Sequence, residues 1–233
     1  MTFHPLLFLL LLGHVIGNFY AQTKTSKEKW FAHGLRYSLA TAVVLFPVVQ
    51  FSLTLVYIFL AVSILHFILS SVKRFIKWKP FIVEQALHIA AIFLVWIIFN
   101  DDIVIWAHVV ELNLLSENPY WTLLGVLVLL RPVGYLIKSN EVWDFGSTPE
   151  KVGPNAGRMI GYLERLIVFF LILNNALGTI GFILAAKAAM RIPEIISAEN
   201  EIEKRNQVEY FLIGTLLSMI CVFVVYLLLR LTV

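Results

Sequence analysis

The chain has 233 residues, of which 60% are apolar and 14% charged, and its formal net charge is +3. A soluble protein has nearly twice that charged fraction, so the composition excludes a soluble globular enzyme. The basic residues lie in short clusters between apolar runs, which is typical of membrane orientation signals and does not indicate a nucleic-acid partner. The sequence therefore predicts an all-α polytopic membrane protein, with the lipid bilayer as its first partner.

Apolar runs of about 20 residues can cross a bilayer as helices. Eight runs approach that length: 5–21, 33–49, 51–72, 81–99, 120–137, 158–174, 176–190 and 208–231. The first is interpreted as a retained helix, because no basic segment precedes it and no convincing cleavage site follows. Residues 103–115 are apolar but short, which favours an interfacial or re-entrant helix.

The stretch 158–190 is too long for one ordinary span, and Asn174-Asn175 followed by Gly178 offers a place to turn. We expect a helical hairpin there. One long kinked helix is the alternative, and it would reduce the spans from eight to seven.

Orientation follows from where lysine and arginine collect in short loops. Basic clusters follow the first predicted helix and the third: Lys24, Lys27 and Lys29, then Lys73, Arg74, Lys77 and Lys79. Both clusters are expected on the cytoplasmic side. With eight crossings, the N-terminus and the C-terminus are then both extracytoplasmic.

Three parts follow from this organisation. Residues 1–99 form a four-helix membrane block that contains histidines, and residues 100–117 form an extracytoplasmic interfacial segment. Residues 118–233 form a second membrane block, with cytoplasmic loops at 138–157 and 192–207.

Polar and ionisable side chains inside spans are costly, so each indicates a functional site. In the first block they recur every three or four residues, which places them on one face of each helix. The set comprises His14, Asn18 and Gln22 on the first helix, His33 near the start of the second, His66, Ser70 and Lys73 on the third, and Glu84, Gln85 and His88 on the fourth. The expected orientation puts all of them in the cytoplasmic half, where they can share one polar pocket.

Three interpretations of this set remain open. Imidazole and carboxylate groups are good metal ligands, so His14, His66, Glu84 and His88 form a candidate site for a divalent metal. The second interpretation is a metal-free site that handles protons, with Glu84 tuning His88. The third is structural, because such side chains also form hydrogen bonds between membrane helices.

The second block carries a different polar set. Its members are Glu164 and Arg165 in the sixth span, Lys187 and Arg191 at the end of the seventh, and Glu209 at the start of the last. A hairpin would allow an ion pair from Glu164 to Lys187 or Arg191. The side chains of Lys187 and Arg191 can also extend to the membrane interface, or help to form a pocket for a lipid phosphate.

Three motifs resemble a family of bacterial integral-membrane proteins, domain of unknown function 3307. His14-Val-Ile-Gly-Asn18 with Gln22 is similar to its His-x-x-Gly-Asp…Gln pattern, and a lysine-rich turn and His33 follow. His66-Phe-Ile-Leu-Ser70-Ser-Val-Lys73 is similar to its His-x-x-x-Asp-x-x-Lys pattern. Glu84-Gln85-Ala-Leu-His88 is similar to its Asp-Gln-x-x-His pattern.

The second half resembles the longer members, which have a C-terminal extension. The resemblance implies a polytopic protein of the bacterial inner membrane and brings no established activity. Asn18 and Ser70 stand where the pattern usually has Asp, which weakens a metal or acid-base site.

The leading hypothesis is a membrane-embedded, metal-dependent enzyme that acts on a lipid-like substrate. Its candidate catalytic residues are His14, Asn18, His66, Lys73, Glu84 and His88. Its candidate substrate- or lipid-binding residues are Gln22, His33, Gln85, Glu164, Arg165, Lys187, Arg191 and Glu209. The alternatives are a non-catalytic membrane protein that binds a lipid or partner, and a proton-coupled transporter. No serine-hydrolase, metalloprotease, phosphate-loop or dinucleotide motif is present, so the reaction class stays open.

Overall fold

A computed structural model of the chain describes residues 4–21, 30–75, 81–103, 119–138, 156–196 and 201–232. All regular elements in these ranges are helices, which confirms the predicted all-α class. The predicted interfacial helix 103–115 lies outside the described residues except for Ile103, and so does most of the predicted loop 138–157.

The helices follow the predicted spans closely. Their bounds are α1 Pro5–Val15, continued by a π-helical turn Ile16–Tyr20; α2 Trp30–Leu45; α3 Leu53–Phe75; α4 Phe81–Phe99, continued by a 3-10 turn Asn100–Asp102; α5 Pro119–Leu130; α6 Pro132–Lys138; α7 Ala156–Leu173; α8 Leu177–Ile196; and α9 Glu201–Thr232. Each predicted span coincides with a helix or, for 120–137, with the pair α5 and α6.

Four described segments are long and apolar enough to cross a membrane. They are Leu53–Ser71, Phe81–Asp102, Tyr120–Ile137 and Phe211–Arg230, and Pro5–Tyr20 and Leu177–Met190 are shorter apolar helices. Large apolar side chains also point outward from the helices, as Leu39, Val43 and Ile97 do. Such a surface is favourable in contact with lipid and unfavourable in contact with water. The chain is a helical membrane protein, and the count of eight crossings stays a prediction.

Contacts divide the chain into two compact units. The first is Met1–Leu127 with Thr232–Val233, and the second is Val128–Leu231. The three-part organisation inferred from the sequence stays a prediction.

The first unit is a four-helix arrangement in which α1 packs against α2 and α4, and α3 also packs against α2 and α4. Glycines allow α1 to approach α2 closely. A Cβ added to Gly17 would lie 2.9 Å from Cδ2 of Tyr37, and one added to Gly13 would lie 3.3 Å from Cα of Thr41. The Gly13-x-x-x-Gly17 pair is therefore a helix-packing device.

The second unit contains two helix breaks. Pro132 has no N–H to donate to the preceding turn, so α5 ends and α6 begins there. Between α7 and α8 the chain turns at Asn174-Asn175, and Asn175 has a φ of 56°, the left-handed conformation in which many helices end. The backbone N–H of Ala176 donates to Leu171 O at 2.8 Å. This break confirms the predicted turn, and the alternative of one long helix is wrong.

The predicted loop 192–207 is helical in its described residues, while residues 197–200 lie outside them and its cytoplasmic position stays a prediction. Residues 192–196 continue α8, and residues 201–207 form the first turns of α9. The segment is polar but rich in glutamate, lysine and arginine, which favour helix, so its polarity did not indicate a loop.

Candidate functional site

Four histidines, one from each of the helices α1 to α4, lie next to one another. The ring centroids of His14 and His88 are 5.5 Å apart, those of His66 and His88 are 4.7 Å apart, and those of His33 and His66 are 5.3 Å apart. His14, His66 and His88 are buried, and His33 is half-buried. We refer to these four residues as the histidine cluster.

Tyr37, which was not predicted from the sequence, lies against the cluster. Its ring is stacked on His66 with a centroid distance of 3.6 Å and an interplanar angle of 2°. It also meets the ring of His14 edge-on at 5.9 Å. Tyr37 lies four residues after His33 on α2, the same spacing that relates the other polar residues, and this signal could have found it.

Gln85 of α4 connects the cluster to the polar face of α1. Its side-chain oxygen accepts a hydrogen bond from Asn18 Nδ2 at 3.1 Å and lies 3.2 Å from His14 Nε2. Because an amide oxygen only accepts, His14 Nε2 carries the hydrogen. In a neutral imidazole the other nitrogen then has a lone pair. That nitrogen, His14 Nδ1, is buried and has no hydrogen-bond partner among the described residues.

Each of the other two buried histidines has a polar contact within its own helix. His88 Nδ1 donates to the backbone oxygen of Glu84 at 2.8 Å, so a neutral His88 carries its lone pair on Nε2. His66 Nε2 lies 3.4 Å from Ser70 Oγ. His66 Nδ1 is buried and has no hydrogen-bond partner within the described ranges.

Asn18 lies in a π-helical turn at the end of α1. In this turn the backbone N–H of Ala21 donates to Ile16 O at 2.9 Å, one residue further back than in an α-helix. Arg36 Nη1 donates to Ala21 O at 3.3 Å, and Tyr20 OH donates to Leu127 O at 2.9 Å. Such turns occur often at functional sites.

The predicted metal ligands do not converge in this arrangement. In the part of the chain that the structure describes, no group of three or more His, Cys, Asp or Glu side chains is placed to hold a metal ion. Glu84 contributes its backbone oxygen to His88. The metal-ligand set His14, His66, Glu84 and His88 stays a prediction. Gln22 and the side chain of Lys73 lie outside the described residues.

In the second unit the structure pairs Glu164 with Lys187. Their Oε2 and Nζ atoms are 2.5 Å apart, which confirms the ion pair expected from a hairpin. Glu209 lies exposed on α9 and pairs with Arg205 at 2.9 Å. The side chain of Arg191 is outside the described residues. Arg165 is buried, and its Nε donates to Leu129 O at 2.8 Å.

The first half of the chain also matches a known family. Residues 6–115, slightly less than half of the chain, match the family described as "Protein of unknown function (DUF3307)". No curated protein and no solved structure matches the chain. The matched range includes α1 from its second residue, all of α2 to α4, and all four residues of the histidine cluster. The part of the chain that carries the cluster is therefore similar to the DUF3307 proteins.

Proposed function

We propose that the histidine cluster is the substrate site of a membrane-embedded enzyme. Its imidazole nitrogens accept a hydrogen bond from a hydroxyl or ammonium group of a lipid-like substrate. The observation that carries the proposal is the pair of buried ring nitrogens, His14 Nδ1 and His66 Nδ1, without a described partner.

A buried nitrogen without a hydrogen bond costs about 1–3 kcal/mol, and two such atoms in one interior favour a ligand that satisfies them. The lone pair on His14 Nδ1 requires a donor, so a protic group suits the site better than an anion. The rings of Tyr37 and Phe19 lie beside His14 and offer apolar surface to the carbon part of a substrate.

A divalent metal is the second candidate, and the ring spacing favours it. Two imidazoles on one tetrahedral zinc have centroids about 5 Å apart, given the usual zinc–nitrogen distance. The separations of 5.5 and 4.7 Å around His88 are close to this value. The described side chains would have to turn before their nitrogens converged on one ion.

We further propose that the chain lies in a bacterial inner membrane with both termini extracytoplasmic. The histidine cluster is then in the cytoplasmic half of the bilayer. A proton-coupled transporter and a non-catalytic lipid-binding protein remain the alternatives. Both would also use polar side chains inside the membrane.

The test compares two ligands that differ by one hydrogen-bond donor. The purified full chain, in nonionic detergent, is titrated with a long-chain primary alcohol and with its methyl ether, and bound ligand is counted by native mass spectrometry. We expect the alcohol to bind about tenfold more tightly, because the ether cannot donate to an imidazole nitrogen. The same preparation is titrated with Zn²⁺, and bound metal is measured directly.

Variants then assign the binding to the cluster. His14→Phe and His66→Phe should each remove the preference for the alcohol, and His4→Phe, at the start of the chain, is the matched control. Equal binding of alcohol and ether in the wild type would contradict the protic-ligand proposal. Stoichiometric zinc that is lost in His66→Phe and retained in His4→Phe would favour the metal candidate instead.

A further inference from the structure

The second unit contains a charged side chain that the proposed function does not use. Arg165 on α7 is only 4% exposed. Its hydrogen-bond acceptor, Leu129 O, belongs to the apolar segment Tyr120–Ile137. An arginine at such a position costs several kcal/mol in a membrane unless it is compensated. The buried charge therefore indicates a function.

Compensation from the described residues is incomplete. The guanidinium donates through Nε to Leu129 O at 2.8 Å and lies 5.4 Å from the centre of the Tyr162 ring. Its two terminal nitrogens have no hydrogen-bond acceptor among the described residues. A guanidinium has five N–H donors, so four of them still need an acceptor.

The carboxylate next to Arg165 in the sequence is engaged elsewhere. Glu164 precedes Arg165 in the sequence, but its Oε2 atom is 2.5 Å from Lys187 Nζ. No described carboxylate forms an ion pair with Arg165. Glu164 attracts the guanidinium without forming an ion pair with it, so the terminal nitrogens have no direct anionic partner among the described residues.

Two glycines lie beside the terminal nitrogens. A Cβ added to Gly161 would lie 3.4 Å from Nη1 of Arg165, and one added to Gly134 would lie 3.6 Å from Nη2. Any larger residue would place side-chain atoms beside the donors. The guanidinium is therefore fixed by Leu129 O through Nε, while its terminal nitrogens border two positions without side chains.

We propose that Arg165 anchors an oxyanion site in the second unit, where its terminal nitrogens bind two oxygens of a phosphate group. The planar fork of a guanidinium matches two oxygens of one phosphate, which a lysine does not. The phosphate belongs either to free inorganic phosphate or to a lipid. This proposal is independent of the histidine cluster, because all of its residues belong to the second unit.

The experiment uses the purified full chain in nonionic detergent. Inorganic phosphate is titrated by equilibrium dialysis with radiolabelled phosphate, and short-chain phosphatidic acid is titrated by native mass spectrometry beside the matching diacylglycerol. We expect one phosphate-bearing probe to bind at one per chain and diacylglycerol not to bind. If free phosphate displaces the lipid, the site accepts both sources, and if only the lipid binds, its phosphate is the ligand.

Arg165→Gln should weaken binding roughly 10- to 100-fold, the range expected for lost hydrogen bonds to a charged group. Arg165→Lys keeps the positive charge and removes the fork, so it should also weaken binding. This variant tests the proposal if the glutamine variant fails to fold. Arg158→Gln removes an exposed arginine from the same helix and should leave affinity unchanged. The proposal is overturned if neither phosphate probe binds the wild type, or if Arg158→Gln weakens binding as much as Arg165→Lys.

Discussion

One side-chain oxygen of Gln85 is the hydrogen-bond acceptor for two polar side chains of another helix. Asn18 Nδ2 and His14 Nε2 both lie within hydrogen-bond distance of it. In a membrane interior no water replaces a lost acceptor, so we expect Gln85 to contribute to the free energy of unfolding. A substitution at Gln85 tests that contribution directly.

Gln85→Ala should lower the free energy of unfolding by roughly 1–3 kcal/mol, because both donors lose their acceptor. Thermal or denaturant unfolding in detergent measures the change. Leu87→Ala, which truncates an exposed side chain on the same helix, is the matched control and should have a much smaller effect. Equal stability of the two variants would show that Gln85 contributes little.

Residue patterns predicted part of this site. The spacing of four residues identified His14, Asn18, His66 and His88, and the structure has these residues packed or hydrogen-bonded to one another or to Gln85. The acceptor of Arg165 could not be predicted, because Leu129 O is a backbone atom whose position depends on tertiary packing. No residue pattern marks such an atom.

At the scale of elements, glycine sets the distance between α1 and α2. The Cβ of Gly17→Ala would lie 2.9 Å from Cδ2 and 3.1 Å from Cα of Tyr37, and a backbone atom cannot give way cheaply. We expect a loss of about 1–3 kcal/mol of stability. Gly181→Ala on α8, where nothing lies within 4 Å, should be neutral or slightly stabilising in the same unfolding measurement.

The turn between α7 and α8 makes a separate prediction. Asn175 has a φ of 56°, which glycine adopts freely and a β-branched residue does not. Asn175→Gly should therefore keep the stability of the protein, while Asn175→Val should lower it by roughly 1–2 kcal/mol. If the valine variant unfolds at the same temperature as the glycine variant, the left-handed conformation does not restrict which residue is tolerated at position 175.

Element boundaries show what the sequence could and could not establish. The Asn174-Asn175 pair predicted the turn because these residues tolerate left-handed conformations. The π-helical turn Ile16–Tyr20 was not predicted, since α1 is apolar on nearly all sides and has no periodic pattern that an inserted residue could shift. The helical start of α9 was not predicted, because polar residues are common in loops, although glutamate, lysine and arginine also favour helix.

At the scale of the molecule, the basic clusters predict an orientation that labelling can test. Cys221 is the only cysteine of the sequence, so labelling uses a Cys221→Ser background. In it, Asn100→Cys should react with a membrane-impermeant maleimide added to intact spheroplasts. Thr25→Cys, beside the first basic cluster, should react only after the membrane is permeabilised. The opposite pattern would reverse the proposed orientation and move the histidine cluster to the other half of the bilayer.

The bond between Gln85 and α1 has a consequence for biogenesis. His14 and Asn18 precede their acceptor by 71 and 67 residues in the chain. At ordinary rates of synthesis, about 5–20 residues per second, α4 emerges several seconds after α1. During that interval the polar face of α1 needs a temporary partner, such as water in the insertion channel or a chaperone. The time that α1 spends at the insertion machinery should therefore depend on Gln85, a residue that has not yet been translated when α1 arrives.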